Sequence, residues 1–246
     1  MKKSYFMNKV IGAALVMLSA AIFTSAQEST STKQNVRPAR SATPSSPSST
    51  SAPSPAAQVK FTYEFTQPKF YVKHIVVEHD GAGHGKITFE RLNEDVPVEE
   101  SLEISAAALS RITGYWSALN FLDSDVNYQT SQDFSHLGTM RIGMEQGERK
   151  RFAEFNWTHN ENAAQLINEY RKLSDQAILV FDISLARENQ PLNAPKLMEV
   201  MESLLKRNGL SDPKQLLPLL RDISTDEHVP LIARNHALRL IKQIQK

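Results

Sequence analysis

Three histidines and an aspartate lie close together in the first part of the sequence that shows a strand pattern. They are His74, His79, Asp80 and His84. Imidazole nitrogens and carboxylate oxygens are ligands that zinc prefers. Because successive side chains of a strand point to opposite faces, His74 and His79 make a poor pair of ligands. His79, Asp80 and His84 are the set that a turn at Asp80-Gly81-Ala82-Gly83 brings near one another.

Two interpretations of His79, Asp80 and His84 remain open from the sequence. In the first, the three side chains bind zinc, and with His136 they serve a metal-assisted hydrolase. In the second, they belong to a polar hairpin turn in which the glycines adopt positive φ and the histidines lie in solvent. We expect the second interpretation, and therefore predict no cofactor.

Other catalytic signals are missing from the sequence. The chain has no Cys, which excludes disulfides, thiolate catalysis, Cys-ligated zinc and iron–sulfur clusters. It contains no Gly-x-Ser-x-Gly, no His-Glu-x-x-His and no glycine-rich phosphate motif. A protein that binds rather than catalyses is the favoured class.

The longest irregular segment of the patterned region runs from Asp125 to His136. It contains Tyr128, Asp133 and His136, three residues that often bind ligands from loops. Long loops on a rigid scaffold often carry function. The other interpretation is a plain connection that crosses an edge of the sheet with its polar groups in water. Tyr128, Asp133 and His136 are nevertheless the first choice for a binding surface.

The hydrophobic periodicity predicts the elements that must position these residues. An alternation of period 2 begins at Val59, four further strand-like runs follow, and Ser105 and Asn160 are caps that begin two helices. The predicted order is βββα followed by ββα. This order predicts an α+β fold with an antiparallel sheet covered by helices.

After Gln190-Pro191 the strand patterns stop and three amphipathic helices follow. The first runs over 195–208 and the second over 214–223, and the last is capped by Thr225 or Asp226. These helices predict a small C-terminal helical bundle. The patterned region is thus divided into an α+β domain, 59–190, and a helical C-terminal segment, 191–246.

The first 26 residues have the pattern of a secretory signal peptide. Lys2, Lys3 and Lys9 precede an apolar run over 10–23, and Thr24-Ser25-Ala26 supplies the small residues of a cleavage site. The apolar run is shorter than the ~20 residues that span a bilayer, so cleavage is favoured over a retained membrane anchor. We therefore predict an exported protein, in a periplasm or outside the cell, with no membrane span after cleavage.

Composition separates the next segment from the folded region and bears on the partner. Residues 27–58 are rich in Ser, Thr, Pro and Ala and predict a disordered linker. The whole chain has 28 Lys and Arg against 27 Asp and Glu, for a net charge of +1. Removal of 1–26 takes three lysines and no acid, which leaves 25 basic against 27 acidic residues. This balance argues against a nucleic-acid partner.

The layout from Phe61 to Leu173 resembles a domain-of-unknown-function family of bacterial secreted and envelope proteins. The resemblance rests on the order of short motifs: Pro68-x-Phe70-Tyr71-Val72, Asp80-Gly81, Leu119-Asn120-Phe121, Tyr128, Asp133 and Gly138-Thr139. That family usually has a cysteine beside the proline, where this chain has Gln67. The resemblance implies an envelope location but no activity.

The C-terminal segment resembles a single HEAT-type helical repeat, with Pro218 in its first helix, Asp226 between helices, and Arg234 and Ala237 in its second. The whole chain is also similar to uncharacterised exported bacterial proteins that end in a run like 231–237. We therefore predict an exported binding or interaction module of the bacterial envelope. Its expected partner is an unknown envelope protein or polymer.

Overall fold

The computed structural model describes residues 59–246. The predicted signal peptide, 1–26, and the predicted linker, 27–58, lie outside the described residues. The described chain has an α+β fold in which a six-stranded antiparallel sheet and five α-helices combine. The predicted fold class is therefore confirmed.

The sheet places its first strand in the interior. Its strands are β1 (Val59–Thr66), β2 (Val72–Asp80), β3 (His84–Arg91), β4 (Val98–Glu103), β5 (Thr139–Gln146) and β6 (Arg149–Phe155). Their spatial order is β4-β3-β2-β1-β5-β6. Tyr63 of β1 lies opposite Val77 of β2 and Ile142 of β5. Because β1 pairs with β2 on one side and with β5 on the other, its register fixes which face of the β2–β3 and β5–β6 hairpins is buried.

One face of the sheet is apolar and the other is charged. Phe61, Tyr63 and Phe65 of β1 are buried, whereas Lys60 and Glu64 lie on the opposite face. The buried face packs against α1 (Ala106–Ala118) and α2 (Glu161–Asn189) in a single core. The alternation seen in the sequence is thus the signature of a sheet that faces water on one side.

The prediction missed β4. Of its six residues only Leu102 is buried, and Glu99, Glu100 and Glu103 are exposed. A strand at the sheet edge with one buried side chain has almost no period-2 signal. Its glutamates also keep this edge from pairing with another chain.

The two predicted helix caps are confirmed. Ser105 Oγ accepts a hydrogen bond from the backbone N–H of Ala108, and the Asn160 side chain accepts one from Ala163 N–H. The second helix, α2, has 29 residues. It is therefore long enough to cover the sheet with its first half and to pack elsewhere with its second half.

A second core forms around the end of α2. There, Leu179 and Ile183 pack against three helices: α3 (Ala194–Lys206), α4 (Leu217–Thr225) and α5 (Leu231–Ile244). Since α2 contributes to both cores, the division between 59–190 and 191–246 stays a prediction. Across 59–246, no helix is both long enough and apolar enough for a membrane span.

The predicted cap of the last helix is wrong. Asp226 follows the end of α4, and α5 begins only after Pro230. The Asp226 carboxylate instead accepts a hydrogen bond from His228 N–H at 3.0 Å and pairs with Arg187 of α2. The hydrogen bond from Arg187, followed by that from His228 N–H, lowers the pKa of Asp226 to about 2. The aspartate therefore ties the α4–α5 turn to α2 rather than starting a helix.

Candidate binding groove

His79 lies in the core rather than in a solvent-exposed turn. Its side chain is 2% exposed and stacks on the ring of Phe61 with 5.0 Å between ring centroids. The Nδ1 atom lies 2.8 Å from the carbonyl oxygen of Asp80, and Nε2 lies 2.8 Å from the hydroxyl oxygen of Tyr170. Both ring nitrogens are thus already engaged.

A chain of hydrogen bonds joins His79 to two helices. The Asp80 carbonyl can only accept, so His79 Nδ1 carries the proton and Nε2 accepts from Tyr170 O–H. The Tyr170 oxygen in turn accepts from Trp116 Nε1–H at 3.0 Å. When His79 is neutral, its two ring nitrogens, the Tyr170 hydroxyl and the Trp116 N–H all have hydrogen-bond partners. Burial lowers the pKa of His79 below its usual 6.5, although the hydrogen bond to Asp80 opposes this effect.

Asp80 and His84 form the hairpin turn. One carboxylate oxygen of Asp80 accepts hydrogen bonds from Ala82 N–H and His84 N–H, both at 2.9 Å. The hydrogen bond from the His84 backbone is the main cause that lowers the pKa of Asp80. The His84 ring is exposed, with Asp80 at 3.7 Å and Glu103 at 3.6 Å.

The structure does not bring His79, Asp80 and His84 together as a set of metal ligands. His79 points into the core, and the other two side chains point into solvent. Among residues 59–246, no three His, Asp or Glu side chains are grouped so that they could hold a metal ion. The turn differs from the expected polar hairpin in two ways: only Gly83 of its two glycines has a positive φ, and His79 is buried rather than in solvent.

Tyr128, Asp133 and His136 have three different environments. Tyr128 is 3% exposed and packs between the rings of Phe121 and Phe155. The Asp133 carboxylate accepts hydrogen bonds from Ser135 N–H and from the Asn156 side chain, which follows β6, and the His136 ring is exposed. The three side chains therefore do not share one surface. The end of the segment reaches the site described below through Leu137 instead.

Gln67 fastens this irregular segment to the sheet. Its buried amide donates from Nε2 to the carbonyl oxygens of Ser135 and His136, at 3.0 and 2.9 Å. Its Oε1 accepts from Lys69 N–H at 3.2 Å. A cysteine at this position has only one weak donor and could not make these bonds. Sequence reasoning noted Gln67 only as a departure from a family pattern and missed this role.

A cavity of about 850 Å³, here called the aromatic hollow, opens beside this fastening. Its rim has three exposed aromatic side chains: Phe70 is 44% exposed, Tyr71 60% and Trp157 42%. Its interior includes apolar side chains from the sheet and α2, namely Phe65, Ile75, Met140 and Ile167. Exposed aromatic side chains around an apolar cavity are typical of a binding site.

Two charged residues of α2 also line the aromatic hollow. Arg171 donates to the sulfur of Met140 at 3.5 Å, and no carboxylate of the described residues lies within 4.0 Å of its guanidinium. Solvent reaches Asp175, but the walls of the cavity remove part of its hydration and raise its pKa. Burial likewise raises the pKa of Tyr63, on the same wall, to about 12. Arg171 is thus a cation available to a ligand.

A second cavity of about 920 Å³, here called the charged hollow, adjoins the first. Tyr71, Val72, Ile75 and Asp175 border both cavities. The charged hollow continues along α2 to Asn189 and reaches α3. The two hollows share these four residues and are together called the binding groove below.

The two resemblances found in the sequence, to an envelope domain family and to a HEAT-type repeat, stay predictions. The sequence matches no protein-family model and no curated protein.

Proposed function

We propose that the protein is an exported, non-catalytic binding module of the bacterial envelope, and that the aromatic hollow binds a largely apolar molecule with an acidic group. One observation carries the proposal: three exposed aromatic side chains surround a cavity in which Arg171 has no carboxylate partner among residues 59–246. The exported location is supported by the signal pattern of residues 1–26.

The walls of the aromatic hollow favour a ligand with apolar groups. A large apolar area is exposed to water on the rings of Phe70, Tyr71 and Trp157. Each exposed aromatic ring gains about 25 cal/mol for every Å² that a ligand covers. A ligand without apolar groups would leave this gain unused.

Two cations that line the same hollow, Arg171 and Lys69, favour an acidic group on the ligand. An arginine fork binds a carboxylate, sulfonate or phosphate through two parallel hydrogen bonds. The one acid of the hollow, Asp175, lies more than 4.0 Å from the Arg171 nitrogens. An acidic group on the ligand would therefore meet a guanidinium that has no competing ion pair.

The alternative function, a metal-assisted hydrolase that uses His79, Asp80 and His84, has less support. A zinc ligand must offer a free imidazole nitrogen, whereas both nitrogens of His79 already have hydrogen-bond partners. No other feature of the three residues favours a bound metal.

A pair of dyes tests the proposed function. Anilinonaphthalene sulfonate is aromatic and anionic, and N-phenylnaphthylamine is nearly the same molecule without the sulfonate. We expect both to bind the folded protein and Arg171→Gln to weaken only the sulfonate, by about tenfold, as for one lost hydrogen bond to a charged group. Arg239→Gln, an exposed arginine of α5, is the matched control.

The quantity to compare between the variants is the ratio of the affinity for anilinonaphthalene sulfonate to the affinity for N-phenylnaphthylamine. An unchanged ratio in Arg171→Gln, or no binding of either dye, would contradict the proposal. Near-ultraviolet circular dichroism of each variant ensures that dye binding does not come from a loosened core.

A further inference from the structure

The binding groove is long and follows one side of α2. The residues of α2 that line it recur every three or four positions, from Ala164 to Asn189, so that they share one face of the helix. At 1.5 Å per residue this stretch is about 37 Å long. An extended polypeptide covers such a distance with about eleven residues. The groove is therefore far longer than one compact small molecule requires.

Basic side chains without ion pairs lie along the whole groove. Lys69 and Arg171 line the aromatic hollow, and Lys196 and Arg207 line the charged hollow. Within 59–246, none of these four has a carboxylate within 4.0 Å. The acid between them, Asp175, feels the positive charges of Arg207 and Arg171. The groove is thus basic on a chain whose net charge is only +1.

Apart from Asp175, the remaining charges of the charged hollow are paired with one another. Arg91 is 4% exposed and pairs with Asp182 and with Glu94. Its guanidinium also lies over the ring of Tyr71, 5.6 Å from the centroid. This buried cluster holds the rim residue Tyr71 in place between the two hollows, and it leaves Lys196 and Arg207 as the cations of the charged hollow without an ion pair among residues 59–246.

We infer that the binding groove takes an extended peptide segment of about eleven residues, apolar at one end and acidic at the other. The inference rests on the proposed function of the aromatic hollow, which takes the apolar end together with one acidic group at Arg171. Lys196 and Arg207 face the acidic end. Charge complementarity favours Asp and Glu there, because each would meet a cation without a partner. An acidic polysaccharide fits less well, since it has no aliphatic groups for Phe65 and Ile75.

Fluorescence anisotropy with labelled synthetic peptides tests the inference. The probe has an apolar half of Leu, Val and Phe and an acidic half of Glu, Asp and Ser, made in both orders along the chain. Its comparison peptides are the apolar half alone and the full peptide with Lys in place of each acid. We expect one order of the full peptide to bind at least about tenfold more tightly than either comparison, and less tightly as salt is raised.

The variant Lys196→Gln/Arg207→Gln distinguishes binding in the charged hollow from binding in the aromatic hollow. It should weaken the full peptide about fivefold at low salt and leave the apolar half and the sulfonate dye unchanged. Arg239→Gln/Lys242→Gln removes the same two charges from the exposed face of α5 and should change none of the affinities.

Two results would overturn the peptide inference while the dye still binds the aromatic hollow. One is a full peptide that binds no more tightly than its apolar half. The other is displacement of the dye by alginate oligomers at lower concentration than by the peptide, which would assign the groove to an acidic polysaccharide. Loss of dye binding itself would instead remove the proposed function.

Discussion

The hydroxyl of Tyr170 lies 2.8 Å from Nε2 of His79 and joins the long helix α2 to the second strand of the sheet. The same oxygen accepts from Trp116 of α1. One buried hydroxyl therefore connects both helices that cover the sheet. The network is complete only with neutral His79 and an intact phenol, and two predictions follow from these requirements.

Stability should fall as the pH is lowered below neutrality because of His79. Its pKa is near 6.5 in the unfolded chain and lower in the folded protein. Well above pH 6.5 the His79 imidazole is neutral in both the folded and the unfolded state. Below pH 6.5 the unfolded state binds more protons than the folded state. The loss begins near pH 6.5, continues down to the folded pKa, and has a limiting slope of about 1.4 kcal/mol per pH unit.

The measurement is the free energy of unfolding between pH 7.5 and 5.0, compared with that of His79→Gln. The difference between the two proteins cancels the contributions of the carboxylates and of the other histidines. We expect the variant to have the shallower dependence. Identical slopes would show that His79 does not carry this effect.

Tyr170→Phe should destabilise the protein by about 2–3 kcal/mol. The change leaves the ring in place but removes the partner of two buried groups, His79 Nε2 and Trp116 Nε1–H, and an unsatisfied buried group costs about 1–3 kcal/mol. Tyr115→Phe is the control, since the Tyr115 hydroxyl makes no hydrogen bond within the described chain. Chemical unfolding of the three proteins measures the difference, and equal stabilities would refute the network.

Gln67→Leu should loosen the segment that contains Asp133 and His136. The substitution keeps the volume but removes both hydrogen bonds to the carbonyls of Ser135 and His136. We expect faster amide hydrogen exchange in residues 131–138 and unchanged exchange in α5. The segment carries Leu137, which lines the aromatic hollow, so binding of the sulfonate dye should also weaken. Unchanged exchange rates would mean that Gln67 does not fasten the loop.

Ser174→Ala should leave the stability unchanged or raise it by about 1 kcal/mol. Ser174 is 1% exposed, and its hydroxyl has no hydrogen-bond partner among the described residues. An unsatisfied buried hydroxyl carries a desolvation cost that alanine does not have. The thermal midpoint of the two proteins tests this, and a clear loss in the alanine variant would show that the hydroxyl does have a partner.

The elements of the fold were predictable where the interactions are local. The caps at Ser105 and Asn160 bond to groups three residues away, and the alternation in β1 reflects its own buried face. The strand β4 escaped prediction because its edge position buries only Leu102. Asp226 looks like a cap in the sequence, but its actual partner Arg187 comes from another helix.

The candidate site escaped prediction for a different reason. Tyr71 and Arg171 lie far apart in the chain, and only the packing of α2 on the sheet places them around one cavity. No periodic pattern shows that Tyr71 and Trp157 stay exposed after folding. Titratable residues such as His79 attract attention in a sequence, yet here the buried histidine belongs to a network of the core.

The two tryptophans of the chain provide the most direct test of the central claim that the aromatic hollow is a binding site. Trp157 lines the hollow, and Trp116 is buried with its indole N–H bonded to Tyr170. In a titration with anilinonaphthalene sulfonate followed by ¹H–¹⁵N nuclear magnetic resonance, we predict that the indole signal of Trp157 shifts progressively to saturation while that of Trp116 stays in place. A Trp157 signal that does not move, or a shift confined to Trp116, would contradict the account.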